Sequence, residues 1–175
     1  MIFRLLARIR AMSEPTLLIA LAIMLLPVHV VSELHLGHTT MPATSAGVVL
    51  IGMALLSQRL STRLGGFVVA TAVLAEVMVL TAVYQMHTWQ IDTHMIYFVM
   101  LAGISALNRV GVLLYGAAIV AVHHLALTLL LPALVYPSTD MLENVMRTAL
   151  HGGIVILETA ILTMSILQRN AATAR

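Results

Sequence analysis

Apolar residues run through this chain in blocks of helical length, separated by short polar segments. The blocks lie near Thr16–Val31, Ala43–Leu60, Gly65–Gln85, Met95–Asn108, Val110–Leu131 and Arg147–Leu167. None alternates in and out as a barrel strand would, so each is expected to be a helix that satisfies its own backbone groups. A helix needs about 20 apolar residues to cross a bilayer. The pattern therefore predicts an all-α fold, a polytopic membrane helix bundle of six transmembrane helices over residues 16–168. Residues 1–15 form a basic amphipathic lead-in, with Arg4, Arg8 and Arg10 among apolar neighbours. Ser13 is a cap for the first helix and Pro15 suits its first turn. Residues 169–175 begin a cytoplasmic helix or tail. A cleaved signal peptide is the rival reading of the first block, because Val30-Val31-Ser32 sets small residues before Glu33.

Composition turns this pattern into a class. With 61% hydrophobic and 9% charged residues and a mean hydropathy of +1.02, the chain has too little polar surface for a soluble domain. The absence of cysteine removes disulfides and thiolate ligands from consideration. Every basic side chain is arginine, and the formal net charge of +2 is too small and scattered for nucleic acid.

Charge distribution sets the expected orientation. In a six-span drawing Arg4, Arg8, Arg10, Arg59, Arg63, Arg109, Arg169 and Arg175 fall on one side, and only Arg147 falls on the other. The positive-inside rule then makes both termini cytoplasmic, in a multi-pass protein of a bacterial inner membrane. Asn108-Arg109 is a candidate tight turn between the fourth and fifth spans. Glu33, His35, His38, His87, Asp92, Asp140 and Glu143 gather on the opposite, periplasmic side.

The block VGVLLYGAAIVAVHHLALTLLL carries His123 and His124 well inside the span. An imidazole at that depth is expensive unless it faces a cavity, a partner or a metal. At 1.5 Å per residue they sit roughly 20 Å up a core about 30 Å thick. His151 lies about one turn inside the sixth span, His94 caps the fourth, and His29 lies near the outer end of the first. Several helices thus bring histidines to one level. The bland reading makes His123 and His124 partners of a neighbouring helix, and makes His29, His35 and His38 headgroup-facing. The sharp reading is a centre built from His94, His151 and one or both of His123 and His124, with His124 the surer ligand of the two. Neutral imidazole binds copper, zinc or iron, and such a transition-metal ion is favoured here. Haem b is the close alternative, because it needs only two imidazoles and Arg147 could pair with a propionate. Asp92 and Glu158 are then further ligands or acceptors that orient the rings. Trp89 is counted with the cofactor-binding residues, although it and Tyr136 also sit where an aromatic belt is expected. Glu76 reaches a comparable middle depth.

WQIDTHM (Trp89–Met95), AVHHLALTLLLP (Ala121–Pro132), VYP (Val135–Pro137) and RTALHGGIVILE (Arg147–Glu158) together resemble a known family. It is the multi-span sensory region of bacterial methyl-accepting chemotaxis proteins, also found on some diguanylate cyclases. The resemblance covers roughly residues 86–167. It implies that Asp92, His94, His123, His124, His151 and Glu158 form the functional core, and that the last span drives a cytoplasmic output. The family's acidic-Trp-Arg segment after the fourth span is here Asn108-Arg109-Val110-Gly111. No signalling domain follows within this sequence, which makes the chain an excised sensory region or a stand-alone relative.

The expected function is a membrane sensor that registers a ligand or redox change at its histidine centre, as a homodimer in the lipid bilayer. A small quinol-linked membrane cytochrome or a histidine-ligated membrane redox enzyme is the alternative, with Glu76 and Glu158 as proton relays. An ion transporter is the third, but no broken-helix pair or duplication supports it.

Overall fold

The computed structural model describes residues 13–138 and 140–175, so the arginines of the lead-in lie outside the described residues. Seven helices account for most of them: α1 Glu14–His35, α2 Pro42–Leu56, α3 Thr62–Val83, α4 Gln90–His94, α5 Ile96–Ser105, α6 Val110–Leu130 and α7 Met141–Thr173. Short 3-10 turns at Ser57–Arg59 and Pro132–Leu134 complete the order, with no strand among the described residues. Met95, between α4 and α5, keeps helical dihedrals, so those two pieces run on almost as one.

Helix boundaries follow local chemistry. Pro15 stands in the first turn of α1 and Pro42 in that of α2, where the missing N–H costs nothing. Asp140 caps α7, accepting the Glu143 N–H at 2.8 Å. Glu33 performs the same service across elements. Its carboxylate accepts the Ala43 and Thr44 N–H groups at 2.6 and 2.9 Å, pinning the end of α1 to the start of α2. The expected turn at Asn108-Arg109 is present, with Asn108 left-handed at φ 52°. Asparagine tolerates that conformation better than most residues.

α3 is the centre of the bundle and touches α1, α2, α4, α5 and α6. More than half of its apolar window, 56%, is buried, against 11% for α7. α7 is therefore peripheral, packed on α6 and α5. Leu18, Leu74, Leu101, Ile104 and Leu113 are fully buried between these helices. Outward-facing positions on α6 and α7 remain apolar, Leu130 and Ile156 among them. A helix apolar all round suits a hydrocarbon surrounding.

Four helices, α1, α3, α6 and α7, are long and apolar enough to cross a membrane. The expected second and fourth spans are shorter. α2 has 15 residues, and α4 with α5 runs only from Gln90 to Ser105. At 1.5 Å per residue each reaches about 22–24 Å, less than the hydrocarbon thickness.

The two ends of the bundle differ in chemistry. At one end Arg109 Nη1 donates to the Thr62 carbonyl at 2.6 Å, and Arg169 Nη2 donates to the Ser105 carbonyl at 3.0 Å. At the other, the His35 ring stacks on Trp89 with centroids 5.5 Å apart, and the Tyr84 hydroxyl donates to Ser32. The Arg109 and Arg169 contacts and the His35–Trp89 stack thus lie at opposite ends of the bundle.

Candidate functional site

The site is assembled from three helices, α4, α6 and α7. α4 is only five residues long and needs an anchor, which Gln90 supplies. Gln90 is fully buried, and its Nε2 donates to the Ala133 carbonyl at 2.9 Å while its Oε1 accepts the Met86 N–H at 3.1 Å. That fastens α4 to the segment leaving α6, and His94 comes with it.

Each principal histidine is held in the same way. His94 Nδ1 lies 2.7 Å from the Gln90 carbonyl, His124 Nδ1 lies 2.8 Å from that of Val120, and His151 Nδ1 lies 2.9 Å from that of Arg147. A carbonyl oxygen only accepts, so each Nδ1 carries the proton and donates it. The opposite nitrogen, Nε2, is then a bare lone pair. This is the arrangement that fixes imidazole orientation in metal sites. The Nε2 atoms of His94 and His123 are buried without a hydrogen-bond partner.

The rings converge as the sequence suggests. His94 stands 5.2 Å from His124 and 6.4 Å from His151, centroid to centroid, and His123 stands 5.4 Å from His124. Two tyrosines complete the cluster. Tyr97 lies 5.1 Å from His124, and Tyr136 stacks nearly parallel on His94 at 6.0 Å. The Tyr136 hydroxyl lies 2.8 Å from Thr148 Oγ1, which in turn lies 2.7 Å from Thr128 Oγ1. That hydroxyl chain ties α6 and α7 together beside the histidines.

Below the cluster a cavity of about 780 Å³ runs along the seam of α6 and α7. His94, His124 and His151 line its polar end, and Ala117, Ala121 and Ala160 line its body. The alanines leave the space that larger residues would fill.

Fit to a metal ion can be judged by distance. Two imidazoles bound at about 2.0–2.1 Å to one tetrahedral ion stand about 5 Å apart, centroid to centroid. His94 and His124 meet that spacing; His151 lies more than an ångström beyond it. Among the described residues no group of three or more His, Asp or Glu side chains is placed to hold one ion.

Other sequence candidates sit elsewhere. Arg147 is engaged by Glu143, its Nε donating to Oε1 at 3.0 Å, and it does not line the cavity. Asp92 is exposed, and Trp89, 53% exposed, belongs to the outer group with His35, Tyr84 and His87. Glu158 does not line the cavity, although its Oε2 is buried without a partner. Glu76 faces His29, away from the four-histidine group, at 3.3 Å with both side chains fully buried. Against the headgroup-facing expectation, His29 is an interior residue.

The chain matches no protein-family model, no curated protein and no solved structure. Function therefore rests on the site itself.

Gln90, Tyr97 and the Thr128–Thr148 pair belong to this site without having been singled out by sequence. Only the spacing of Thr148 before His151, three residues on one helix face, carries a signal for them.

Proposed function

We propose that this chain is a membrane-embedded sensory unit whose histidine cluster binds a transition-metal ion, copper, zinc or iron. The observation that carries the proposal is the common orientation of His94, His124 and His151. Three helices each present an imidazole with Nδ1–H committed to its own backbone, leaving Nε2 free. His94 and His124 are already at the separation a shared ion needs. His123 is the optional neighbour and His151 the third ligand, reached by a small inward movement of its ring or of α7. Bound metal would supply a Lewis acid or one-electron redox centre at this place.

On this reading α7 carries the signal. It is the least buried long helix, it contributes His151 at one end, and at the other Arg169 bonds to the end of α5. A change in how His151 sits favours one packing of α7 over another, and the shift travels along a rigid helix. The resemblance of residues 86–167 to chemotaxis sensory regions supports the same assignment, with six crossings, cytoplasmic termini, a periplasmic histidine end, a bacterial inner-membrane location and a homodimeric assembly. Asp92, Trp89, Arg147 and Glu158 then act at one remove from the ion.

Haem b is the second reading, favoured by a different distance. Two imidazoles facing each other across one iron stand about 6 Å apart, close to the 6.4 Å between His94 and His151. Arg147, already paired with Glu143, is not free for a propionate. Elemental analysis beside an absorption spectrum of the purified protein separates the readings. Stoichiometric metal without a Soret band supports the ion, a Soret band supports haem, and neither overturns both.

A further inference from the structure

We propose that two copies of this chain pair through α7, with Glu158 of each meeting Glu158 of the other across a two-fold axis near the bilayer midplane. This deepens the homodimeric reading above by assigning its interface, and it does not require the metal ion. The depth of Glu158 carries the first part of the argument. Arg147 and Arg169 bracket the apolar run of α7, and Glu158 stands midway between them in sequence. At 1.5 Å per residue it is about 16 Å from the level of either arginine, half the thickness of a core of about 30 Å. An ionisable side chain at that depth needs a partner or a polar cavity. Among the described residues Glu158 has neither. Its Oε2 is buried with no hydrogen-bond partner, neither ion pair includes it, and it does not line the α6–α7 cavity.

The second part is what surrounds it. Ile154 and Ile161, one turn before and one turn after Glu158 on the same face, are 44% and 58% exposed. Only 11% of the apolar window of α7 is buried. Lipid tails can cover the isoleucines, but they offer nothing to a carboxyl group at the midplane. A second copy of the chain does. A carboxyl group that holds its proton both donates and accepts, so two of them satisfy each other without net charge. A two-fold interface sets a residue near the axis against its own counterpart, so a single unpaired carboxyl on each chain is enough. Polar side chains bonded across helices in this way hold membrane helices together. Because α7 also presents His151, the two histidine centres then share one pair of helices.

Energy transfer between donor- and acceptor-labelled full chains, diluted stepwise into lipid vesicles, tests this. The chain has no cysteine, so Ala174→Cys in the exposed tail gives a single labelling point. The labelled chain should dimerise. Adding Glu158→Leu, which suits the hydrocarbon and should insert normally, is expected to weaken the dimer at least about tenfold. Glu158→Gln should keep it, because an amide also donates and accepts. Single cysteines then locate the interface. Ile154→Cys and Ile161→Cys should each form disulfide-linked dimers on mild oxidation with iodine, and Val122→Cys, 66% exposed on α6, should not. A chain that stays monomeric at every dilution, a Glu158→Leu variant that pairs as tightly as its parent, or a Glu158→Gln variant as weak as Glu158→Leu would overturn the proposal. Crosslinking through Val122→Cys but not through Ile154→Cys or Ile161→Cys would overturn it equally. Metal content read on the same samples keeps the two ideas separate: a Glu158-dependent dimer that holds no metal would sink the ion and spare this interface.

Discussion

His29 and Glu76 face each other at 3.3 Å in the interior of α1, α2 and α3, and neither has any exposed surface. His29 Nε2 also donates to the Glu76 backbone carbonyl at 3.1 Å, so Nδ1 is the nitrogen turned to the carboxyl group. Gly47 makes the pairing possible. A Cβ there would stand 2.7 Å from His29 Nδ1 and 3.2 Å from Glu76 Oε2, so only glycine lets α2 close over the pair.

Removing one partner strands the other in an apolar interior, which costs about 1–3 kcal/mol for a buried polar group left unsatisfied. His29→Leu and Glu76→Leu should each lower the unfolding midpoint in detergent substantially. The double variant should recover much of the loss, because an apolar pair leaves nothing unsatisfied. A double variant as unstable as the sum of the singles would show that the two residues do not act as a pair.

Gly47→Ala should destabilise, although an ordinary glycine-to-alanine change inside a helix is stabilising by about 1 kcal/mol. A stabilised Gly47→Ala protein in the same unfolding assay would contradict the close approach of α2.

Orientation is open to direct labelling. Cysteine placed at exposed Ser61 should react only from the cytoplasmic side, and cysteine at exposed Thr39 only from the periplasmic side. The reverse pattern would invert the proposed topology, and labelling of both from one side would break the six-crossing arrangement.

Glu158 should support the centre without being a ligand. It lies seven residues after His151, about 10 Å further along α7, and does not line the cavity. Glu158→Gln should keep the metal or haem and shift its spectrum or potential. Complete loss of the cofactor from a folded Glu158→Gln protein would make it a ligand.

Much of the site was legible because depth along a helix is arithmetic. Counting residues at a fixed rise brings His94, His124 and His151 to one level, and the fold does bring them together. Neighbourhood is different. Glu76 and His123 sit at similar depths, but which helices adjoin depends on packing that no single-helix count contains. Glu76 therefore belongs with His29 on the other side of the bundle. Gln90 looks like an ordinary interfacial polar residue, since its role needs the path of the Pro132–Leu134 turn. Arg147 is the opposite case: Glu143 precedes it by four residues, a spacing that itself predicts the ion pair. Helix lengths also explain the span count. The blocks of α2 and α4–α5 are apolar enough, but α2 begins only at Pro42 and the left-handed turn at Asn108 closes α4–α5 early.

The central claim is that the histidines form a metal centre, and metal stoichiometry in matched variants tests it most directly. Wild type should purify with about one transition-metal ion per chain. His124→Ala and His151→Ala should lose it while remaining monodisperse, and His123→Ala should retain it with affinity weakened about 10–100-fold. A wild type that takes up no metal or haem, or variants that keep the full wild-type content, would contradict the account.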